Sequence, residues 1–266
     1  MAKPLPRLLS VIRTRRLTPN MIRITLGGQN LAGFPPAQES AYVKLMFPAP
    51  ESHGAMELSS EASVETPKPI TRSYTIRSFD EKLLEMELDF VAHGDNGPAS
   101  AWAINAKVGD KISVAGPGVK KMADMSADWF FIAGDMTALP AISVNLEQMP
   151  DDARGYAVLE IIHESDKQNL LAPAGLEIHW VINSKPDRPN SLLLDAVKSL
   201  QWLDGTPNVW AASEFESMRA MRRYFKGERG VGRGDIYASS YWKMGETDEG
   251  NKTAKRNDTD ADIDIV

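Results

Sequence analysis

Between Leu84 and Val91 apolar and acidic positions alternate: Leu84, Met86, Leu88 and Phe90 against Glu85, Glu87 and Asp89. Successive side chains of a strand point to opposite faces, so this pattern predicts a strand with one buried face. Strand-like runs also lie at 8–16, 21–27, 41–47, 71–77 and 111–115, and Thr18-Pro19-Asn20 separates the first two with turn composition. A short helix is expected after Pro98, which suits a first helical turn. Together these elements predict a small antiparallel barrel of six strands.

The pattern then changes. Trp129–Ala133 (WFFIA) is continuously apolar, as in a strand buried on both faces. Similar runs follow at Tyr156–Ile162, Leu176–Ile182, Asn208–Ala212 and Asp235–Ser239, with helical stretches after Pro140 and at Asn190–Trp202 and Glu214–Lys226. This alternation predicts a parallel α/β sheet. The expected fold is therefore α+β with two domains, a barrel over 1–122 and an α/β domain over 123–246. The loop Gly134–Thr137 closes the first buried run, where ligands bind in such sheets, but it is not GxGxxG. Residues 247–266 hold six acids and three bases and read as a flexible or docked tail, with Lys252, Lys255 and Arg256 as a basic island inside it.

Composition narrows the function. The net charge of −6 argues against sequence-independent nucleic-acid binding. With no cysteine there is no disulfide, thiol nucleophile or cysteine-ligated metal, and the four histidines, His53, His93, His163 and His179, include no close pair. No resident metal is expected, so any electron transfer requires an organic cofactor. No signal peptide or membrane span is read, and the cytoplasm is the expected location.

The candidate chemistry centres on Thr71–Arg77. Alternation puts Arg72 and Tyr74 on one face and Ser73 and Thr75 on the other. A ring, a guanidinium and a hydroxyl on one strand suit a flat cofactor that carries phosphate. The turn His93–Pro98 opens onto a helix start with free N–H groups and reads either as a plain β–α turn or as an anion site. Lys44 interrupts the apolar run Ala41–Phe47 and reads either as a snorkelling edge lysine or as a cation lining a pocket. Residues 48–69 lack periodicity and form a long loop of the functional or mobile kind.

Arg72-Ser73-Tyr74-Thr75-Ile76-Arg77, Asp89-Phe90-Val91-Ala92-His93, Gly97–Ala103, Ala115-Gly116-Pro117, Ala133–Ile142 and Tyr241–Gly245 occur in that order. Together, over residues 8–246, they closely resemble the siderophore-interacting protein family, flavin-dependent ferric-siderophore reductases related to the ferredoxin–NADP reductases. The resemblance implies FAD on the barrel and a reduced nicotinamide, NADH or NADPH, or a reduced ferredoxin as electron donor. It places Tyr74 on the flavin ring, Arg72 on a phosphate and Thr75 at the ring's polar edge, with Ser73 a further cofactor-binding candidate. Asp89, Phe90, Val91 and His93 would line the FAD, Pro98, Ala99 and Ser100 would hold the diphosphate, Thr137 would sit between the flavin and the donor site, and Trp242 would lie near the flavin side of the cleft. Lys44 matches a family position linked to siderophore binding, and Lys120, Lys121 and Lys243 are further candidates for an anionic ferric siderophore.

No residue is expected to act as an acid–base catalyst, and a monomer is expected. Three departures stand out: Met136 where the family commonly has glutamate, Gly118 where a basic residue often follows the Ala-Gly-Pro turn, and the long tail. A general NAD(P)H:flavin oxidoreductase (a diaphorase) and a siderophore-binding carrier module are the alternative readings. Arg222 and Arg223 are read either as solvated or as partners of a 2′-phosphate.

Overall fold

The computed structural model describes residues 5–48, 69–95 and 97–263. Most of the 48–69 loop, with His53, lies outside the described residues. Six strands, β1 (Arg7–Thr18), β2 (Met21–Gly27), β3 (Tyr42–Phe47), β4 (Ile70–Asp80), β5 (Glu85–Val91) and β6 (Lys111–Ala115), close into a barrel in the order β1-β2-β5-β4-β3-β6. Every pairing in it is antiparallel. Closure leaves no strand edge exposed. The alternation in β5 carries through, with Met86, Leu88 and Phe90 fully buried among the inward residues of the other strands. Helix α1 (Pro98–Asn105) covers one end of the barrel, burying Ala99 and Ala103 and resting Trp102 on Phe47 and Phe90.

In the second half all five strands are parallel: β7 (Trp129–Gly134), β8 (Arg154–Ile161), β9 (Gly175–Ile182), β10 (Pro207–Glu214) and β11 (Ile236–Trp242), in the order β11-β10-β7-β8-β9. All six residues of β7 are buried, as its unbroken apolar run requires. Helices α2 (Leu139–Glu147), α3 (Leu192–Ser199) and α4 (Phe215–Arg223) connect the strands. The chain leaves the central β7 towards β9 on one side, then returns to build β10 and β11 on the other. The reversal between β7 and β10 opens a crevice at the carboxyl ends of the strands. Gly134 is required there, because a Cβ would sit 2.6 Å from the Ala212 carbonyl oxygen. The segment read as a tail carries α5 (Asp248–Ile263). This helix docks on β11 through Asn251 to Ser240 and on α4 through Asp258 to Arg219 and Arg222.

Polar contacts pin the two halves together. Asp166, fully buried in the loop after β8, accepts hydrogen bonds from Thr18 Oγ1 at 2.7 Å, from Asn20 N at 2.9 Å and from Asn20 Nδ2 at 2.8 Å. Arg77 of β4 pairs with Glu147 of α2. Met21 of β2 is buried in the core of the α/β half, which makes the junction apolar as well.

Candidate functional site

Register decides which side chains of β4 work together. Leu45 lies opposite Arg72 and Val43 opposite Tyr74, whereas Lys44 lies opposite Ser73 and Tyr42 opposite Thr75. One face therefore carries Arg72 and Tyr74, and the other carries Lys44, Tyr42, Ser73 and Thr75. The Tyr74 ring stacks on Phe90 at 4.1 Å between centroids and 30° between planes. Burial raises the Tyr74 phenol far above its ordinary value, so the ring stays a neutral plate at physiological pH. The Arg72 guanidinium donates to the Thr71 carbonyl at 2.9 Å and has no carboxylate partner among the described residues. Nearby, α1 starts at Gly97 with no side-chain cap, leaving the N–H groups of Ala99 and Ser100 without one. Ser100 Oγ accepts the His93 N–H at 3.1 Å, which ties the preceding turn to the helix.

A ring plate, an uncompensated guanidinium and an uncapped helix start are the donor set a phosphate-bearing flavin needs, so the residues fit FAD. Asp89 is not brought to this face. Both of its carboxylate oxygens bind Arg23, at 2.6 and 2.7 Å, on the side of β5 away from Phe90.

The α/β half presents a knot at its switch point. Asp135, at the end of β7, accepts from Thr137 N at 2.9 Å and Thr137 Oγ1 at 2.5 Å on one oxygen. Its other oxygen accepts from Glu214 N and Trp242 Nε1, each at 2.8 Å. Burial pushes the Asp135 carboxyl up, and the bonds from Thr137, Trp242 and Glu214 offset only part of this. One carboxylate thus binds the loop after β7 to the ends of β10 and β11. Next to Trp242, Tyr241 approaches the Thr75 side chain of the barrel, and burial raises its phenol well above the ordinary value.

Beside the knot lies a cleft of about 460 Å³. Asp135, Glu160, Glu214 and Trp242 line one side of it, and Arg188, Arg219, Arg223 and Lys243 contribute cations. Burial, opposed by the bond from Asn183 and reinforced by Asp135 and Glu214, raises Glu160 to about 7. A carboxyl raised above its ordinary 4.5 holds its proton more tightly in the folded chain. Its contribution therefore favours folding at low pH and is lost as pH rises from about 4.5 to about 7, by about 3 kcal/mol at most. Glu160→Gln should remove this slope, so chemical unfolding across that window should show the variant gaining stability relative to the wild type as pH increases.

Residues 10–121 match the siderophore-interacting FAD-binding domain, and residues 127–245 match the siderophore-interacting protein model. The chain is 35% identical over 250 residues to ferric vibriobactin reductase ViuB of Vibrio cholerae, with 92% of each covered. This chain belongs to the siderophore-interacting protein family. The siderophore-interacting protein SipS of Aeromonas hydrophila has the same architecture, with a TM-score of 0.81 at 34% identity over 96% of this chain and 98% of that one. The NADPH-dependent ferric-chelate reductase of Escherichia coli is 28% identical over 89% of this chain and 92% of its own length.

Within this family member the four candidate lysines do not converge. Lys44 shares the outer face of the barrel with Ser73 and Thr75, at the interface where Tyr241 arrives. Lys243 stands over the Phe215 ring at 4.7 Å and lines the α/β cleft. Lys120 only approaches the Ala37 carbonyl, at 3.5 Å, and Lys121 takes part through its backbone carbonyl, which accepts Trp210 Nε1 at 3.0 Å. The departure at Gly118 has a steric cause, since a Cβ there would meet the Tyr42 ring at 2.1 Å. Arg222 pairs with Asp258 of α5, while Arg223 lines the cleft. Among the described residues no cluster of histidine and acidic side chains is placed to hold a metal. Asp135, Glu160, Glu214 and Tyr241 were not singled out from the sequence. An acid inside an otherwise apolar strand, as Glu160 is within Tyr156–Ile162, was the available signal.

Proposed function

We propose that the protein is a ferric-siderophore reductase that takes electrons from a reduced nicotinamide nucleotide. One NAD(P)H and two Fe(III) give NAD(P)⁺, two Fe(II) and a proton. Siderophores bind iron through hard oxygen donors that suit Fe(III) far better than Fe(II), so the added electron loosens the complex. Bound FAD supplies the exchange between a two-electron donor and a one-electron acceptor. This chain's residues do the holding. Arg72 and the start of α1 take the diphosphate, Tyr74 takes one face of the ring system, and Thr75, close to Tyr241, presents a hydroxyl at the junction. Ser73 and Lys44 complete that outer face, and the cleft beside Trp242 receives the nucleotide. No side chain needs to transfer a proton to carbon or iron.

The observation that carries this reading is the Arg72–Tyr74–α1 cradle on the barrel together with a cleft of mixed charge at the carboxyl ends of the parallel strands. The naming of relatives as ferric vibriobactin reductase and NADPH-dependent ferric-chelate reductase supports it. Reduced nicotinamide is a cytoplasmic metabolite, which supports placing the reaction in the cytoplasm. An anionic ferric siderophore needs a local cation on an acidic protein, and Lys44 is that cation. Lys44→Ala should raise KM for an anionic ferric siderophore about tenfold, and more than it raises KM for a neutral dye. Steady-state kinetics with both acceptors checks this; equal changes would favour a general diaphorase.

A further inference from the structure

The α/β cleft presents a nucleotide with an unusual choice of partners. In open parallel sheets the backbone N–H groups at the strand crests usually meet the phosphates. Here they are already taken. The N–H groups of Thr137 and Glu214 bind Asp135. Those of Glu216 and Ser217, at the start of α4, bind the Glu214 carboxylate at 2.6 and 3.2 Å. The crest therefore offers carboxylate where a phosphate would need donors.

Glu160 stands apart from the other two acids. It lies near the carboxyl end of β8, the second strand counted from β7. From that place such sheets read the ribose of a dinucleotide, with an acid accepting from the 2′-hydroxyl or a cation meeting a 2′-phosphate. Asn183 Nδ2 donates to Oε1 at 3.0 Å and fixes the carboxylate's orientation, while no side chain among the described residues donates to Oε2. None of the cleft's cations, Arg188, Arg219, Arg223 and Lys243, is among the groups that move the Glu160 carboxyl. Arg219 is held by Asp258 at 2.9 Å and Glu216 at 3.3 Å, and Lys243 stands over Phe215. Asp135 and Glu214 face Glu160 from β7 and β10, and their charges add to its own.

We infer that Glu160 accepts a hydrogen bond from a ribose hydroxyl of the nucleotide and excludes a 2′-phosphate, so that the cleft prefers NADH to NADPH. The inference rests on reading this cleft as the nucleotide site. Hydroxyls donate to a carboxylate, whereas a phosphate dianion beside three carboxylates is repelled. Because Glu160 titrates at about 7, its exclusion of phosphate strengthens as pH rises through neutrality. Asp135, Glu214 and Asn183 act on Glu160 and set this response, and Arg188, Arg219, Arg223 and Lys243 line the same cleft.

The test uses FAD-loaded, oxidised wild type and Glu160→Gln, titrated with NAD⁺ and NADP⁺ at about pH 6 and about pH 8, with binding read from the flavin's visible spectrum. Wild type should bind NAD⁺ about tenfold more tightly than NADP⁺ at the higher pH, and the gap should narrow at the lower pH. Glu160→Gln should narrow the gap at the higher pH to about threefold or less and reduce its pH dependence. The 2′-phosphate itself titrates in this range, and the variant, which meets the same ligand, separates that contribution from Glu160's. A wild type that prefers NADP⁺, or a variant with an unchanged ratio, overturns the inference and leaves the cleft assignment standing. If neither nucleotide binds either protein, the cleft assignment fails and the inference with it.

Discussion

Asp166→Ala should lower the unfolding free energy by about 3–5 kcal/mol, seen as a fall of about 6–15 °C in melting temperature. Asp166 is fully buried and accepts four hydrogen bonds, from Thr18 Oγ1, Asn20 N, Asn20 Nδ2 and His163 N. Three of these come from the β1–β2 turn, so one carboxylate holds the barrel to the α/β half. Removing it strands the donors in a place that water does not readily reach. Burial pushes this carboxyl up, but the bonds from Asn20, Thr18 and His163 outweigh it and leave it below its ordinary 3.8. A lowered carboxyl stabilises the fold above that value and loses its contribution as pH falls through the folded value. The difference between wild type and variant should therefore be full at neutral pH and shrink in acid. A calorimetric difference under about 1 kcal/mol would mean that the junction does not depend on this contact.

Arg72→Ala should weaken FAD binding about 30–300-fold, measured by titrating apoprotein with FAD and following flavin fluorescence. The Arg72 guanidinium has no carboxylate partner among the described residues, and α1 starts without a side-chain cap. Tyr74→Ala should cost about tenfold, while Tyr74→Phe, which keeps the plate, should change the affinity by less than about threefold. Both alanine variants should remain folded, because Phe90 beneath Tyr74 belongs to the barrel core. A drop of less than about threefold in Arg72→Ala would place the diphosphate elsewhere.

Much of this arrangement was legible because burial writes its period into the chain. The half-buried β5 shows alternation, and β7, covered on both faces, shows an unbroken apolar run. The same parity argument separated Arg72 and Tyr74 from Ser73 and Thr75, and the strand register bears it out. Applied to β5 it also explains Asp89: a neighbour of Phe90 must point the other way, and Asp89 meets Arg23 there. What the chain does not display is what only tertiary structure assembles. The Asp135 knot joins Thr137, Glu214 and Trp242, which are far apart in sequence. Lys120 and Lys121 lie close to a motif, but the direction of a loop leaves no periodic trace. Helix α5 was hidden for a different reason. It docks through polar and charged contacts, Asn251 to Ser240 and Asp258 to Arg219, so it lacks the apolar stripe that announces a packed helix.

On the proposed function, electrons held by this protein pass to siderophore iron. The direct test is anaerobic stopped-flow mixing of the FAD-loaded protein, reduced in advance with no nucleotide left free, with an anionic ferric siderophore in the presence of a ferrous chelator. Oxidised-flavin absorbance should return as the ferrous chelate appears, with two Fe(II) formed for each flavin reoxidised. Saturable binding of the ferric siderophore with neither signal would contradict it and would make the protein a carrier rather than a reductase.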